Sequence, residues 1–87
     1  MFNVRKALED FLNVSANREM GSPEDIQFHV ARRLMKKVQP MVDMGEYDAI
    51  VRYLTDEFDY YADRAKYDEA DVALAALTAV RHHLNYV

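Results

Sequence analysis

The sequence predicts an all-α protein, a compact bundle of four helices. Apolar residues recur at helical spacing in four successive segments of the chain. Two glycines and two prolines leave little turn chemistry for a many-stranded sheet. A content of 51% hydrophobic and 30% charged residues is typical of a folded chain. At 87 residues we expect one helical domain spanning 1–87.

The first helix is expected to span about 3 to 18. Asn3 is a favourable N-cap residue at its start. Whether the helix extends past Asn13 is open, because the Asn and Ser residues that follow are weak helix formers and Gly21 is a natural stop. One side carries the apolar residues Val4, Leu8, Phe11 and Leu12.

The second helix is expected to span 23–43 and has the clearest start signal in the chain. Ser22 can cap it, Pro23 fits the first helical position, and two acids follow in the first turn. Pro40 predicts a kink, or a break followed by a short turn. The predicted core side of this helix holds Val30, Leu34, Met35, Val38, Met41 and Val42.

The third helix is expected to span 46–65 and shows the cleanest amphipathic pattern. Its core side is predicted to hold Tyr47, Ile50, Val51, Leu54, Phe58, Tyr61, Ala62 and Ala65. The strings Gly45-Glu46-Tyr47-Asp48 and Ala65-Lys66-Tyr67-Asp68 resemble each other, which we interpret as two helix N-termini with similar chemistry.

The fourth helix is expected to span 68–86, with Asp68 as an acidic N-cap. From Ala70 to Val80 it is apolar on nearly every side, so it has to be surrounded by other helices or covered by another chain. Because each of the other helices has one apolar side to bury, we expect this C-terminal helix to be the most central. A dimer seam is the alternative.

Charge and cysteine content exclude several classes of protein. Residues 1–44 carry seven Lys/Arg and six Asp/Glu, whereas residues 45–87 carry four and nine, which argues against a dominant nucleic-acid footprint. The lack of cysteine favours a cytoplasmic protein without disulfides. No apolar run approaches a membrane span, and the charged N-terminal segment predicts neither a secretory signal nor an anchor.

The residues that could carry chemistry do not form a recognisable motif. His82 and His83 are adjacent, so on a helix they point about 100° apart and are poorly placed to bind one metal ion. The Ser and Thr residues lack the strained turn of a nucleophile, and there is no glycine-rich phosphate loop. We therefore expect no enzyme activity, cofactor or metal.

The back of the third helix is the first candidate for a partner-binding surface. An acidic strip there is accompanied by two tyrosines, and aromatic residues at a polar rim are favoured contact anchors. Alternatively, this is a solvated face with ion pairs from Arg52 to Asp48 and Asp56, and the tyrosine rings belong to a widened core. The predicted partner-binding residues are Tyr53, Asp56, Asp59, Tyr60 and Asp63.

The back of the second helix is the alternative surface. Four cations on one face could neutralise a few phosphates, although the same pattern is common on solvated faces. No aromatic residues alternate with the cations for base stacking, so nucleic acid is the less favoured partner. This basic face consists of Arg32, Arg33, Lys36 and Lys37.

The function favoured by these patterns is that of a small non-enzymatic regulator or inhibitor that occupies a basic surface of a partner protein. In general character, though in no family motif, the chain is similar to phage or plasmid accessory proteins. A nucleic-acid-associated regulator using the basic face is one alternative. A structural assembly component that oligomerises through the fourth helix is another, and the chain is expected to be a monomer or a homodimer.

Overall fold

Four α-helices form the fold within residues 4–13 and 20–84, the parts of the chain that the computed structural model describes. No strand occurs in these two ranges, which confirms the predicted all-α class. In chain order the helices are α1 (Val4–Leu12), α2 (Pro23–Asp43), α3 (Tyr47–Asp63) and α4 (Tyr67–His83).

Helix α4 occupies the centre of the bundle, as predicted. It packs against each of the other three helices, most extensively against α3. Helix α1 packs against α2 and α4, and no close backbone approach joins it to α3 within the described residues. The apolar stretch of α4 is thus buried inside the monomer, with Leu74 as an exposed exception. Its buried residues are Ala70, Val72, Ala73, Ala76, Leu77, Ala79 and Val80.

The core is built from the apolar sides predicted for each helix. Burying one such Leu or Ile side chain contributes about 1.5–3 kcal/mol. Among the described residues the buried set contains no charged side chain, and its one polar group, the hydroxyl of Tyr61, is hydrogen-bonded to Arg33. The largest fully buried side chains are Leu8, Leu34, Val38, Ile50, Leu54, Val72 and Val80.

Helix α1 is shorter than expected. It ends at Leu12 and Asn13 lies in a bend, consistent with the weak helix propensity of the Asn and Ser residues from this point on. The predicted N-cap Asn3 and the remainder of the predicted span, 14–18, lie outside the described residues.

Helix α2 begins as the sequence predicts. The backbone N–H of Asp25 donates to Ser22 Oγ at 3.2 Å, and Pro23 takes the first helical position. The Asp25 carboxylate accepts from the N–H of Gly21 at 3.0 Å, which anchors the preceding turn. The helix continues through Pro40 to Asp43, so a break at Pro40 is wrong; the kink there stays a prediction.

The turns that flank α3 have the same backbone design. Gly45 and Ala65 both adopt positive φ, at 71° and 55°. In each turn the following helix begins two residues later, at Tyr47 and at Tyr67. The N–H of Glu46 donates to Met41 O at 2.8 Å, and the N–H of Lys66 donates to Tyr61 O at 2.9 Å. These bonds satisfy carbonyls at the end of each helix, as left-handed C-terminal caps do.

This turn geometry corrects two sequence expectations. Helix α3 ends at Asp63 rather than 65, and Ala65 is exposed in the turn instead of lying on the core side. Asp68 is not the N-cap of α4, because Lys66 holds that position and Asp68 lies inside the first turn. The resemblance of the two strings reflects the whole turn between two helices, not the helix start alone. Helix α4 ends at His83, and the predicted last residues, 85–86, lie outside the described residues.

Candidate functional site

The predicted basic face lies on the exposed side of α2. Arg32, Arg33, Lys36 and Lys37 are all exposed, which follows from the helical period that buries Leu34 and Val38 on the opposite side. Arg33 differs from the other three because its guanidinium reaches across to α3. There Nη1 lies 2.6 Å from Glu57 Oε1.

Arg33 belongs to a polar network that joins α2 to α3. Its Nη1 donates to Glu57 Oε1, and its Nη2 donates to the hydroxyl of Tyr61. The hydroxyl of Tyr53 donates to the same Glu57 oxygen at 2.9 Å. Glu57 therefore accepts from a cation and from a phenol at once, and its side chain is only 15% exposed.

The network changes the acid–base behaviour of its members. Burial, together with the hydrogen bond to Glu57, raises the pKa of Tyr53 to about 12. Burial also raises the pKa of Tyr61, although the positive charge of Arg33 opposes this. Burial lowers the pKa of Arg33, but its hydrogen bond to Glu57 and the surrounding charges raise it by more. Both phenols are thus neutral at physiological pH, and Arg33 is charged.

A groove between α2 and α3 brings the two predicted surfaces together. Lys36 and Lys37 line it from α2, and Tyr53 and Asp56 line it from α3, with the Arg33–Glu57 pair between the helices. Its volume is about 540 Å³. The ammonium of Lys37 lies 5.9 Å from the centre of the Tyr53 ring, within the range of a cation–π contact. The basic face of α2 and the predicted partner-binding surface of α3 are therefore adjacent, although they were predicted as two separate surfaces.

The predicted partner-binding residues divide into two groups. Tyr53 is half-buried, packs against the core and has its hydroxyl bonded to Glu57, which makes it part of the helix–helix contact. The others are exposed, and we call them the acidic strip: Asp56, Asp59, Tyr60 and Asp63.

Within the acidic strip, the three carboxylates make no ion pair with any described residue. Arg52 does not pair with Asp48 or Asp56 either, contrary to the expectation of two ion pairs along this helix. Tyr60 is 47% exposed, and the guanidinium of Arg64 stacks 3.8 Å from its ring centre. The strip thus offers unpaired negative charge around an exposed ring held from one side by an arginine.

Comparisons with known proteins give no further identification. No protein-family model, curated protein or solved structure matches this chain.

Two features of this region were missed by the sequence analysis. The sequence does indicate that Glu57 and Tyr61 lie beside Tyr53. The three residues follow one another at intervals of four and so share one helix face. No sequence pattern indicates the pairing of Glu57 with Arg33, because the two residues are separated by 24 positions and meet only through helix packing.

A second groove, between α1 and α4, is mainly apolar and also went unpredicted. Its volume is about 480 Å³. Asp10 and Asp71 add one carboxylate from each helix. The remaining lining residues are Ala7, Phe11, Leu74, Ala75 and Thr78.

His82 and His83 lie in the last turn of α4, and the centre of the His83 ring lies 4.6 Å from that of Tyr47. Across residues 4–13 and 20–84, no three side chains of the metal-ligating types come together as a metal site. Within the same ranges, none of the helices combines the length and the apolar content that crossing a membrane requires.

Proposed function

We propose that this protein is a small non-enzymatic regulator or inhibitor that binds a basic surface of another protein through the acidic strip. The observation that carries the proposal is the contrast between the acids of α3. Glu57 is committed to Arg33 and Tyr53 inside the fold, whereas Asp56, Asp59 and Asp63 are exposed and unpaired.

Binding of this kind has a physical basis in charge and ring geometry. Complementary charge speeds the encounter and selects against partners of the same sign. Tyrosine is enriched among the residues that dominate binding energy, since its ring buries a large area at low entropic cost. Arg64 already restricts the ring of Tyr60, so less freedom is lost when a partner covers it. A cytoplasmic location is part of the proposal and is supported by the cysteine-free sequence.

The test is an affinity capture from cell extract with three forms of the immobilised chain. One form is wild type, and the second neutralises the acidic strip by Asp56→Asn, Asp59→Asn and Asp63→Asn. The third is a control with the same change in net charge at other exposed acids: Glu24→Gln, Glu46→Gln and Asp48→Asn. We expect a partner that is bound by the wild type and the control and is lost from the strip variant.

The identified partner is then titrated against wild type and Tyr60→Ala at low and high salt. We expect Tyr60→Ala to weaken binding by about tenfold or more, the cost of losing a hot-spot residue. Salt is expected to weaken the binding of wild type and of Tyr60→Ala alike, because both keep the three carboxylates of the acidic strip. Equal capture by all three forms would refute the acidic strip as the binding surface.

The alternative of a nucleic-acid-associated regulator has less support. Of the four cations of the basic face, Arg33 is paired with Glu57, and the groove beside Lys36 and Lys37 also contains Asp56. Steep salt-dependent retention on DNA, lost when all four cations of the basic face are neutralised, would favour this alternative over protein binding.

A further inference from the structure

The outer face of α4 carries a regular row of exposed residues that the monomer leaves uncovered. Their spacing of four, three, four and three positions follows the seam of packed helices. Leu74 near the middle is 44% exposed, and Tyr67 at one end is 67% exposed. We call this row the α4 seam: Tyr67, Asp71, Leu74, Thr78 and Arg81.

The surface around Leu74 extends the seam into the apolar groove between α1 and α4. Phe11 and Ala7 form its α1 wall, and Leu74 and Ala75 form its α4 wall. Leu74 is exposed, whereas Phe11 and Ala75 are half-buried and Ala7 is buried. Burying the apolar surface that these side chains still expose would favour association with another helix.

The charges of the α4 seam indicate which partner helix would be complementary to it. Asp71 lies on one side of Leu74 and Arg81 on the other, about 15 Å apart along the axis at 1.5 Å per residue. Neither makes an ion pair with a described residue. If two α4 helices pack antiparallel about a two-fold axis near position 76, Asp71 of each faces Arg81 of the other. The same register places Leu74 against Thr78 of the second copy.

A parallel arrangement would instead place Asp71 against Asp71 and Arg81 against Arg81, which is repulsive. Asp10 lines the groove from α1 and adds a second carboxylate to it. Apart from Tyr67, the seam is thus complementary to its own reverse, as an isologous two-fold interface requires.

We propose that the α4 seam and the adjoining groove bind a second copy of this chain as an antiparallel, two-fold symmetric dimer. The contact contains few large apolar residues, so association is weak, with a dissociation constant on the order of 10–100 μM. This proposal is independent of the acidic strip, which lies on α3.

Sedimentation velocity of the purified chain from about 10 μM to about 1 mM tests the dimer. We expect a concentration-dependent shift from monomer to dimer in the wild type and a monomer throughout for Leu74→Asp. Each single charge reversal, Asp71→Arg or Arg81→Asp, is expected to weaken dimerisation by about tenfold or more, because it replaces two attractive pairs with two repulsive ones.

The two single variants also provide a complementation experiment. An equimolar mixture of Asp71→Arg and Arg81→Asp restores an opposite-charge pair at both ends of an antiparallel interface, so we expect dimers in the mixture that neither variant forms alone. The control reversals Asp48→Arg and Arg52→Asp, on α3, make the same changes in net charge and are expected to leave dimerisation unchanged.

A wild-type chain that stays monomeric up to about 1 mM would overturn the proposal. Dimers that persist in Leu74→Asp would also overturn it, by placing the interface elsewhere. If the mixture fails to dimerise while the wild type does, the antiparallel register is wrong. Circular dichroism of each variant confirms that loss of the dimer is not loss of the fold.

Discussion

At the scale of single residues, Glu57 has a position unlike the other acids of α3. Its carboxylate lies between the guanidinium of Arg33 and the hydroxyl of Tyr53, and both donate to the same oxygen. Hydrogen bonds to a charged group are stronger than neutral ones, and a partly buried donor that loses its acceptor is costly. Glu57 therefore adds a polar contact to the apolar packing of α2 against α3.

We predict that Glu57→Leu lowers the free energy of unfolding by about 1–2 kcal/mol, because the half-buried Tyr53 hydroxyl and Arg33 lose their shared acceptor. Urea denaturation measures the change. The control Asp59→Asn, at an exposed acid without an ion pair, is expected to stay within about 0.5 kcal/mol of wild type. Equal stability of Glu57→Leu and wild type would show that the network contributes nothing.

The raised pKa of Tyr53 predicts loss of stability at alkaline pH. Burial, helped by the hydrogen bond to Glu57, holds its pKa at about 12 in the folded chain, compared with 10.0 for the free side chain. The folded state thus keeps its proton where the unfolded state loses it. This contribution to stability is complete below pH 10 and disappears as the pH rises through about 12.

Tyr53→Phe checks this prediction, because Phe cannot ionise. We expect the variant to lose less stability than the wild type in urea denaturation as the pH rises from 10.0 to about 12. We also expect phenolate absorbance to lose the part of the alkaline titration that lies near pH 12. Identical pH dependence in the two proteins would contradict the raised pKa.

At the scale of elements, local sequence was sufficient to predict the end of α2 but not the end of α3. Gly45 is the residue that a left-handed helix cap favours, so the end of α2 could be predicted. Alanine is the best helix former, so a sequence reading extends α3 through Ala65. The structure instead places Ala65 at a positive φ, because α4 has to reverse direction to pack against α3.

We predict that Ala65→Gly raises the free energy of unfolding by about 1 kcal/mol, since glycine adopts positive φ without the steric cost of Cβ. The matched variant Gly45→Ala makes the opposite change at the equivalent position and is expected to lower it by a similar amount. A Cβ at Gly45 would meet nothing within 4 Å, so this cost is conformational only. Thermal denaturation of both variants measures the pair.

The surfaces of α2 and α3 could be predicted only in part from the sequence. Helical periodicity identifies exposed faces, and the residues of the basic face and of the acidic strip are exposed, whereas Tyr53 of the predicted set is half-buried. Periodicity within one helix does not say which faces of two helices meet. The Arg33–Glu57 pair and the groove between α1 and α4 depend on that packing and could not be predicted.

At the scale of the whole molecule, the small residues of α4 determine how closely the bundle packs. Ala73, Ala76 and Ala79 are fully buried, so neighbouring helices approach the α4 backbone directly. A side chain larger than alanine at these positions would separate the helices. The sequence predicted a surrounded helix here, and its alanines show why several neighbours can surround it at once.

We predict that Ala76→Leu lowers the free energy of unfolding by about 1–3 kcal/mol through overpacking. In a domain of this size, each kcal/mol lowers the melting temperature by about 4–8 °C. Arg52→Leu introduces the same side chain at an exposed position without an ion pair and is expected to cost less than about 0.5 kcal/mol. If Ala76→Leu melted at the same temperature as the wild type, the core around position 76 would accept a larger side chain without overpacking.

The extensive packing of α4 against α3, across a connection of three residues, has a consequence for folding kinetics. Contacts between segments adjacent in the chain close short loops, so relative contact order is low and folding is fast, in microseconds to milliseconds. We expect the α3–α4 hairpin to form the folding nucleus and α1 to dock afterwards. Truncating Leu54 or Leu77 would then slow folding, whereas truncating Leu8 would mainly speed unfolding.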